Sequence, residues 1–396
     1  MKRKIKLSLF VVILVMGIAN LGQANTYTVT NLNNSGNGSL RWALDQAGSH
    51  SGSDTIKFNP ALTGGTICPT SELQITSSSK AEETIIDASD IWNEATNMPG
   101  ITIDGNCCGS CEGLNIRSKN CEIYGIAIMN FEDDCIQPQS GADYLILGGP
   151  GHKANVFGGC GGEGIELQAN DCHIYGNYVG VTPNGADIGN GDCSKGLGGL
   201  VFCSGASDNV IEKNIFAHNW GFGTKCWSAN NDDGNLITQN SFYQNKDADR
   251  NGSCSHWGLG IDHGASNGDG PTLNDGQKKS NEFNDGMDYP TFTTAELSAD
   301  GNTLYVKGFV GTLPGQTVFA NSRVEVFIAD PDPTGFGEGK TYLATLTTGS
   351  TGNFEGTINV SAIGGFAVGD YITGTATDPN NSTSEFSPLL AVIPGC

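Results

Sequence analysis

Cations are scarce in this chain. Twenty Lys and Arg stand against 42 Asp and Glu in 396 residues. Four of those cations, Lys2, Arg3, Lys4 and Lys6, fall in the first six residues, and without them the net charge is −26. Such a surface repels nucleic acid and anionic membrane, stays soluble and attracts divalent cations. Long apolar runs are scarce as well. One stretch, Leu7 to about Ala19, lies between the basic start and Gly22-Gln23-Ala24. It is too short to span a bilayer, and it predicts a secretory signal peptide over residues 1–24. With no second run of that kind, a secreted or cell-surface protein is expected, with no membrane insertion. The 57 Gly have no three-residue period, which excludes collagen and suits a turn-rich β protein. Cys107-Cys108-x-x-Cys111 has no His or second CxxC close by, which disfavours a zinc site. The 13 Cys all follow the leader, so disulfides are expected, and an odd count leaves one free or intermolecular.

What is abundant is self-similarity. Asn209-Val210-Ile211-Glu212-Lys213-Asn214-Ile215-Phe216-Ala217-His218-Asn219 is echoed by Asn235-Leu236-Ile237-Thr238-Gln239-Asn240-Ser241-Phe242-Tyr243-Gln244-Asn245, at an offset of 26 residues. A period of that size signals stacked repeats, each burying its apolar face against its neighbours. The alternation has the strand period of two, so the units are coils of short parallel strands. One strand series reads Leu114-Asn115-Ile116, Ile136-Gln137-Pro138, Ile165-Glu166-Leu167, Leu200-Val201-Phe202, Thr224-Lys225-Cys226 and Ile261-Asp262-His263. Another reads Cys121-Glu122-Ile123, Tyr144-Leu145-Ile146, Cys172-His173-Ile174, Asn209-Val210-Ile211 and Asn235-Leu236-Ile237. Ile123, Ile146, Ile174, Ile211 and Ile237 are expected in one inward file, rising about 4.8 Å per coil. Asn177, Asn214 and Asn240 are expected at corners, in left-handed turns and with stacked amides. Ser39 is expected to cap a short helix in an N-terminal cap. Beyond Tyr289-Pro290, about seven alternating strands predict an Ig-like β-sandwich over residues 291–396.

Gly148-Gly149-Pro150-Gly151-His152-Lys153-Ala154-Asn155-Val156-Phe157-Gly158-Gly159, Gly176-Asn177-Tyr178-Val179-Gly180-Val181-Thr182-Pro183-Asn184-Gly185 and the opening Thr28-Val29-Thr30-Asn31 resemble the exported right-handed parallel β-helix repeat proteins of bacteria. The resemblance covers most of residues 26–290. It implies export, a pectate-lyase-like all-β fold and a right-handed parallel β-helix over residues 25–290; the long flat face of such a rod suits an extended polymer, so an extracellular polysaccharide is the expected partner.

On such a rod the outward row Asn115, Gln137, Glu166, Val201, Lys225, Asp262 forms one face, with Asp133, Asp134 and Glu163 beside it. Three uses of that face are open. Glu132-Asp133-Asp134-Cys135-Ile136 resembles the paired-aspartate motif of polygalacturonases, which implies hydrolysis by two carboxyls such as Asp134 and Glu166. That family's Gly-His-Gly is Gly162-Glu163-Gly164 here, without the His. β-Elimination from a uronate polysaccharide needs a base, an acid and a cation. Lys225 is the candidate base or cation, His173 and Tyr175 are a candidate base and acid, and Ca²⁺ on Asp262, Asp269, Asp275 and Asp285 is the candidate metal. A lyase is the favoured activity. A non-catalytic glycan-binding rod is the third use. Trp220, Trp227 and Trp257, with Gln137 and Asn115, are the expected sugar contacts.

Overall fold

The computed structural model describes residues 24–76, 83–192, 195–227, 232–246, 258–264 and 270–395. Residues 1–23 of the expected signal peptide, Trp257 and Asp269 lie outside the described residues. Short strands stack into three parallel sheets of eight, seven and seven strands, so the chain winds as a parallel β-helix. Each coil passes through the three walls in the same order. The coil Val210–Glu212, Ile215–Ala217, Phe222–Cys226 is typical. Among the described residues no helix is long and apolar enough to cross a membrane.

Inward rows from the three walls make one continuous core. Ile123, Leu147, Ile174, Ile211 and Ile237 pair coil to coil in the first wall. Phe216 and Phe242 stack in the second, with ring centroids 5.1 Å apart. The expected file is corrected at one place. Leu147 holds the inward position, and Ile146 pairs outward with Glu122 and His173. The cause is Tyr144, which sits at φ 62° in the turn slot occupied elsewhere by Asn120, Asp171 and Asp208. A tyrosine in that slot disguises the turn as strand, and a slip of one residue exchanges inside for outside. Left-handed backbone is costly for a bulky residue. Tyr144 is 55% exposed and loses little packing on replacement. Tyr144→Asn is therefore expected to raise stability by about 1 kcal/mol. Thermal unfolding reads this, and an unchanged or lower midpoint would reject the strain argument.

The corner asparagines form amide ladders. Asn155, Asn177, Asn214 and Asn240 link the first and second walls, each Nδ2 donating to the next Oδ1 at 3.0 Å. Asn190, Asn219 and Asn245 do the same between the second and third walls, at 3.1 and 3.0 Å. Asn209 and Asn235 serve the third corner. The left-handed residues are not these asparagines but those before them: Gly176, Lys213 and Gln239. The asparagine itself does not have a positive φ, and its side chain bridges coils.

Both ends of the rod are covered. The helix Leu40–Ser49 buries Leu40, Ala43, Leu44 and Ala47 at one end, and the Ser39 side chain accepts from Trp42 N at 3.2 Å. At the other end stands a unit of two four-stranded sheets, mostly antiparallel, around their own apolar cluster. Its buried carboxylates receive the last coil. Glu325 accepts from Gln239 N at 2.9 Å and from the Thr238 hydroxyl. Glu338 accepts from Asn245 N at 3.2 Å and Nδ2 at 2.6 Å. Glu385 accepts from His263 N and Thr272 N, both at 2.7 Å. An open sheet edge invites aggregation, and these contacts close it.

Disulfides join Cys68 to Cys107, Cys108 to Cys111 and Cys135 to Cys160, which removes the metal-ligand reading of the Cys107–Cys111 stretch. Among the described residues Cys121, Cys172 and Cys203 remain thiols, so more than one Cys is reduced. Cys121 and Cys172 are both buried in one row, kept apart by the coil of Leu145 between them.

Candidate functional site

The third wall holds the candidate chemistry. Its register aligns Gln74, Asn115 and Gln137. It also aligns Glu166, Val201, Lys225 and Asp262. The expected row is therefore real, yet it is not an open face. Asn115, Val201 and Asp262 are each only 1% exposed. In-register coils let each polar side chain lie along its neighbour instead of standing up. Asn115 donates to Gln137 Oε1 at 2.9 Å, and Gln137 donates to Glu166 Oε2 at 2.8 Å. Gln168 donates to Glu166 Oε1 at 2.6 Å.

Three residues earlier in each coil stand Glu112, Asp134 and Glu163. The offset brings Asp134, Glu163 and Glu166 together, with one oxygen of each within 4.8 Å of the others. Asp134 Oδ1 accepts from Glu163 N at 2.7 Å. A side chain on Gly162 would meet that same oxygen at 2.3 Å, so the coil above must be bare there. Burial, with Glu163 and Glu166 alongside, raises the Asp134 carboxyl far above its ordinary value. Burial and Glu166 also raise Glu163, to about 7. Burial opposes ionisation of Glu166, but hydrogen bonds from Asp134, Gln168 and Gln137 outweigh it and hold Glu166 low. These opposed shifts favour the proton on Asp134 over Glu166. Oxygen ligands in this number suit a hard divalent cation, and the cluster could hold a metal ion.

Glu112 is the residue that sequence reasoning missed. It is half-buried, and its Oε2 accepts from Asn115 Nδ2 at 2.7 Å. Burial raises it, with Glu72, Asp133 and Glu166 adding to the shift. Glu112, Asn115, Gln137 and Glu166 form one hydrogen-bonded line across three coils. The recurring three-residue spacing from Glu112 to Asn115, Asp134 to Gln137 and Glu163 to Glu166 was the available signal.

The other expected residues disperse. Lys225 is 9% exposed, and its Nζ lies 3.4 Å from Asp262 Oδ2, so the ammonium is committed to an ion pair. His173 and Tyr175 stand on the first wall, away from Glu166, with His173 Nε2 3.4 Å from Glu212 Oε2. They cannot serve one site with the third-wall carboxylates. Asp262, Asp275 and Asp285 do not converge. Asp262 meets Lys225, Asp275 Oδ2 lies 2.5 Å from Lys279 Nζ, and Asp285 N donates to Asp233 Oδ1 at 2.9 Å. The described carboxylates that do converge are those of the third wall. Trp220 is half-buried beneath Lys246, whose Nζ is 4.3 Å from its ring. Trp227, 50% exposed, follows the strand Phe222–Cys226 that Trp220 precedes. These two can flank a chain lying on the wall.

No protein-family model matches this chain. Among solved structures it is similar to the enzymatically active domain of tailspike protein 2 from bacteriophage CBA120, at 11% identity and a TM-score of 0.20, over 95% of this chain and 72% of that one.

Proposed function

We propose that the protein is an exported polysaccharide hydrolase that cleaves a glycosidic bond on its third wall, with Glu112 as general acid and Glu166 as general base. The observation that carries this reading is the hydrogen-bonded line from Glu112 through Asn115 and Gln137 to Glu166, along which burial raises Glu112 while hydrogen bonds outweigh burial and hold Glu166 low. Titratable groups pushed apart by their surroundings are the signature of an acid and base pair. Two coils separate them, about 9.6 Å along the rod. That lies near the roughly 6.5–9.5 Å carboxyl spacing that admits a water opposite the leaving group. Asp134 is a positioning residue, donating to Glu166 from beneath. The wall's carboxylates repel uronates, which favours an uncharged segment as substrate. Trp220 and Trp227 offer the sugar contacts, and the C-terminal unit, read as an Ig-like sandwich, is the end cap.

A second reading is favoured by the burial of Asp134 and Glu163. Ca²⁺ held by Asp134, Glu163 and Glu166 would neutralise a uronate carboxylate and support β-elimination, or binding without turnover. One assay separates these outcomes. The protein is incubated with neutral and uronate polysaccharides, with and without chelator, and both reducing ends and unsaturated product are followed. Reducing ends without unsaturation, unaffected by chelator, are expected. Glu166→Gln is expected to lower the rate by about 10²–10⁴. Unsaturated product that disappears with chelator would replace hydrolysis by elimination. Full activity in Glu166→Gln would remove the site.

A further inference from the structure

Where the last coil meets the C-terminal unit, a cavity of about 310 Å³ opens. Three stretches of chain enclose it. His263 follows the last third-wall strand, Leu259–Asp262, the segment from Pro271 to Tyr289 leads on to the C-terminal unit, and Glu385 comes from that unit. The size is at the lower edge of small-molecule sites, room for a ligand such as one sugar ring. The lining carries more negative charge than its cations balance. Lys279 Nζ lies 2.5 Å from Asp275 Oδ2 and 3.0 Å from Glu282 Oε1, so one ammonium serves two carboxylates. Asp288 accepts from Asp275 N at 3.3 Å and Gly276 N at 2.9 Å, and Glu385 from the two backbone amides already described. Among the described residues neither forms an ion pair. Burial raises Asp288 to about 6 and, with Asp262 nearby, Glu385 to about 8, as expected of carboxyls without a cation.

Two more polar groups are left over. His263 is 7% exposed, and its Nε2 lies 3.0 Å from Thr383 O. A carbonyl only accepts, so Nε2 carries the hydrogen, and Nδ1 of the neutral ring is an acceptor. Nδ1 meets no partner among the described residues, and the ring lines the cavity. The Thr272 hydroxyl is buried beside Glu385 and makes no well-formed hydrogen bond. Buried polar groups of this kind cost free energy unless a ligand or water meets them. They are also dispersed. The described residues bring three metal-ligating atoms within 4.8 Å of one another at the third wall and not here, so a bare metal ion finds too few ligands. A sugar ring carries its polar groups on separate carbons, and its C–H face suits the apolar side made by Leu273, Phe283 and Met287. The surplus negative charge repels uronates and attracts a cation.

We propose that this cavity binds a cationic amino sugar, with its ammonium against Asp288 and its hydroxyls against His263 Nδ1, Glu385 and Thr272. The site is built from the end of the rod and its cover, without the Asp134, Glu163 and Glu166 carboxyls, and it stands whether or not the third wall turns over substrate.

The test is isothermal titration of the full chain with glucosamine, glucose, galacturonate and n-hexylamine, all in the presence of chelator. Glucosamine is expected to bind, glucose and n-hexylamine about tenfold or more weakly, and galacturonate not at all. Asp288→Asn is expected to raise the Kd for glucosamine about tenfold. Leu273 is 70% exposed and lines the opening, so Leu273→Trp leaves the buried groups in place and is expected to block entry. Glu166→Gln should bind glucosamine as the wild type does, which separates this site from the proposed cleavage site. A wild-type chain that does not take up glucosamine would overturn the proposal. So would glucose or n-hexylamine bound as tightly as glucosamine, or both cavity variants binding it unchanged.

Discussion

Replacing Asn214 with Leu is expected to cost about 4 kcal/mol, the sum of several buried polar groups each left unpaired at roughly 1–3 kcal/mol. Asn214 Oδ1 accepts from Asn177 N at 2.9 Å and from Asn177 Nδ2 at 3.0 Å. Its Nδ2 donates to Ile174 O at 2.8 Å and to Asn240 Oδ1 at 3.0 Å. Leu has similar volume and makes none of these bonds, and water cannot reach the site, because Asn214 is 1% exposed. A loss of this size is a large part of the roughly 5–15 kcal/mol that holds an ordinary domain together. Denaturant unfolding of N214L against wild type measures it. A loss below about 1 kcal/mol would show that the ladder adds little beyond the apolar core.

Glu338→Ala is expected to be nearly as damaging, and for a different reason. The fully buried Glu338 carboxylate satisfies both the backbone and the amide of Asn245 at the last coil. Its removal strips two donors and loosens the cover over an open sheet edge, so chain-to-chain association is expected along with a lower midpoint. Light scattering during thermal unfolding would show it. Monomeric unfolding at the wild-type temperature would contradict the capping role. The same carboxyls set the pH response. Burial raises Glu338 well above the ordinary 4.5, and burial with Asp262 nearby raises Glu385 to about 8. A carboxyl raised on folding binds its proton more tightly in the folded state, so its stabilising contribution is present below about 4.5 and is lost as pH climbs towards 8. Asp187 and Glu212 are held low, with burial outweighed by Lys246 and Lys213, and act oppositely, losing their contribution as pH falls below their ordinary range. Stability is therefore expected to peak in mild acid and to decline from about pH 5 to 8. A midpoint that rises over that interval would refute the assignment.

The rod was legible because its period is written in residue types. Gly before most third-wall strands, Asn at recurring corners and Ile inside aligned the outward row from Asn115 to Asp262 correctly. Reading failed where one residue broke the type rule. Tyr144 in an Asn/Asp turn slot hid a slip and misplaced Ile146. The second wall went unseen as a wall, although Phe216 and Phe242 marked it, because its strands follow the first wall after a single corner. Site reading failed for a physical reason as well. Sequence tells which residues face outward, but not whether neighbours lie across them. Lys225 faced out and was still buried against Asp262. His173 and Tyr175 lay one wall away from Glu166, a separation that a one-dimensional text does not record. Glu112 escaped because Glu166 is reached through two amides, Asn115 on its own coil and Gln137 on the next.

The three corner ladders carry a consequence for how such a chain changes over generations. From Asn155 onward the described joints between coils use the same asparagine-to-asparagine contact, and specialised lids stand at the two ends of the rod, the helix from Leu40 and the carboxylates of Glu325, Glu338 and Glu385. Duplication or loss of one 26-residue unit such as Asn209 to Gly234 would leave identical joints on either side. Length is thus free to drift in whole steps while the lids remain unaltered.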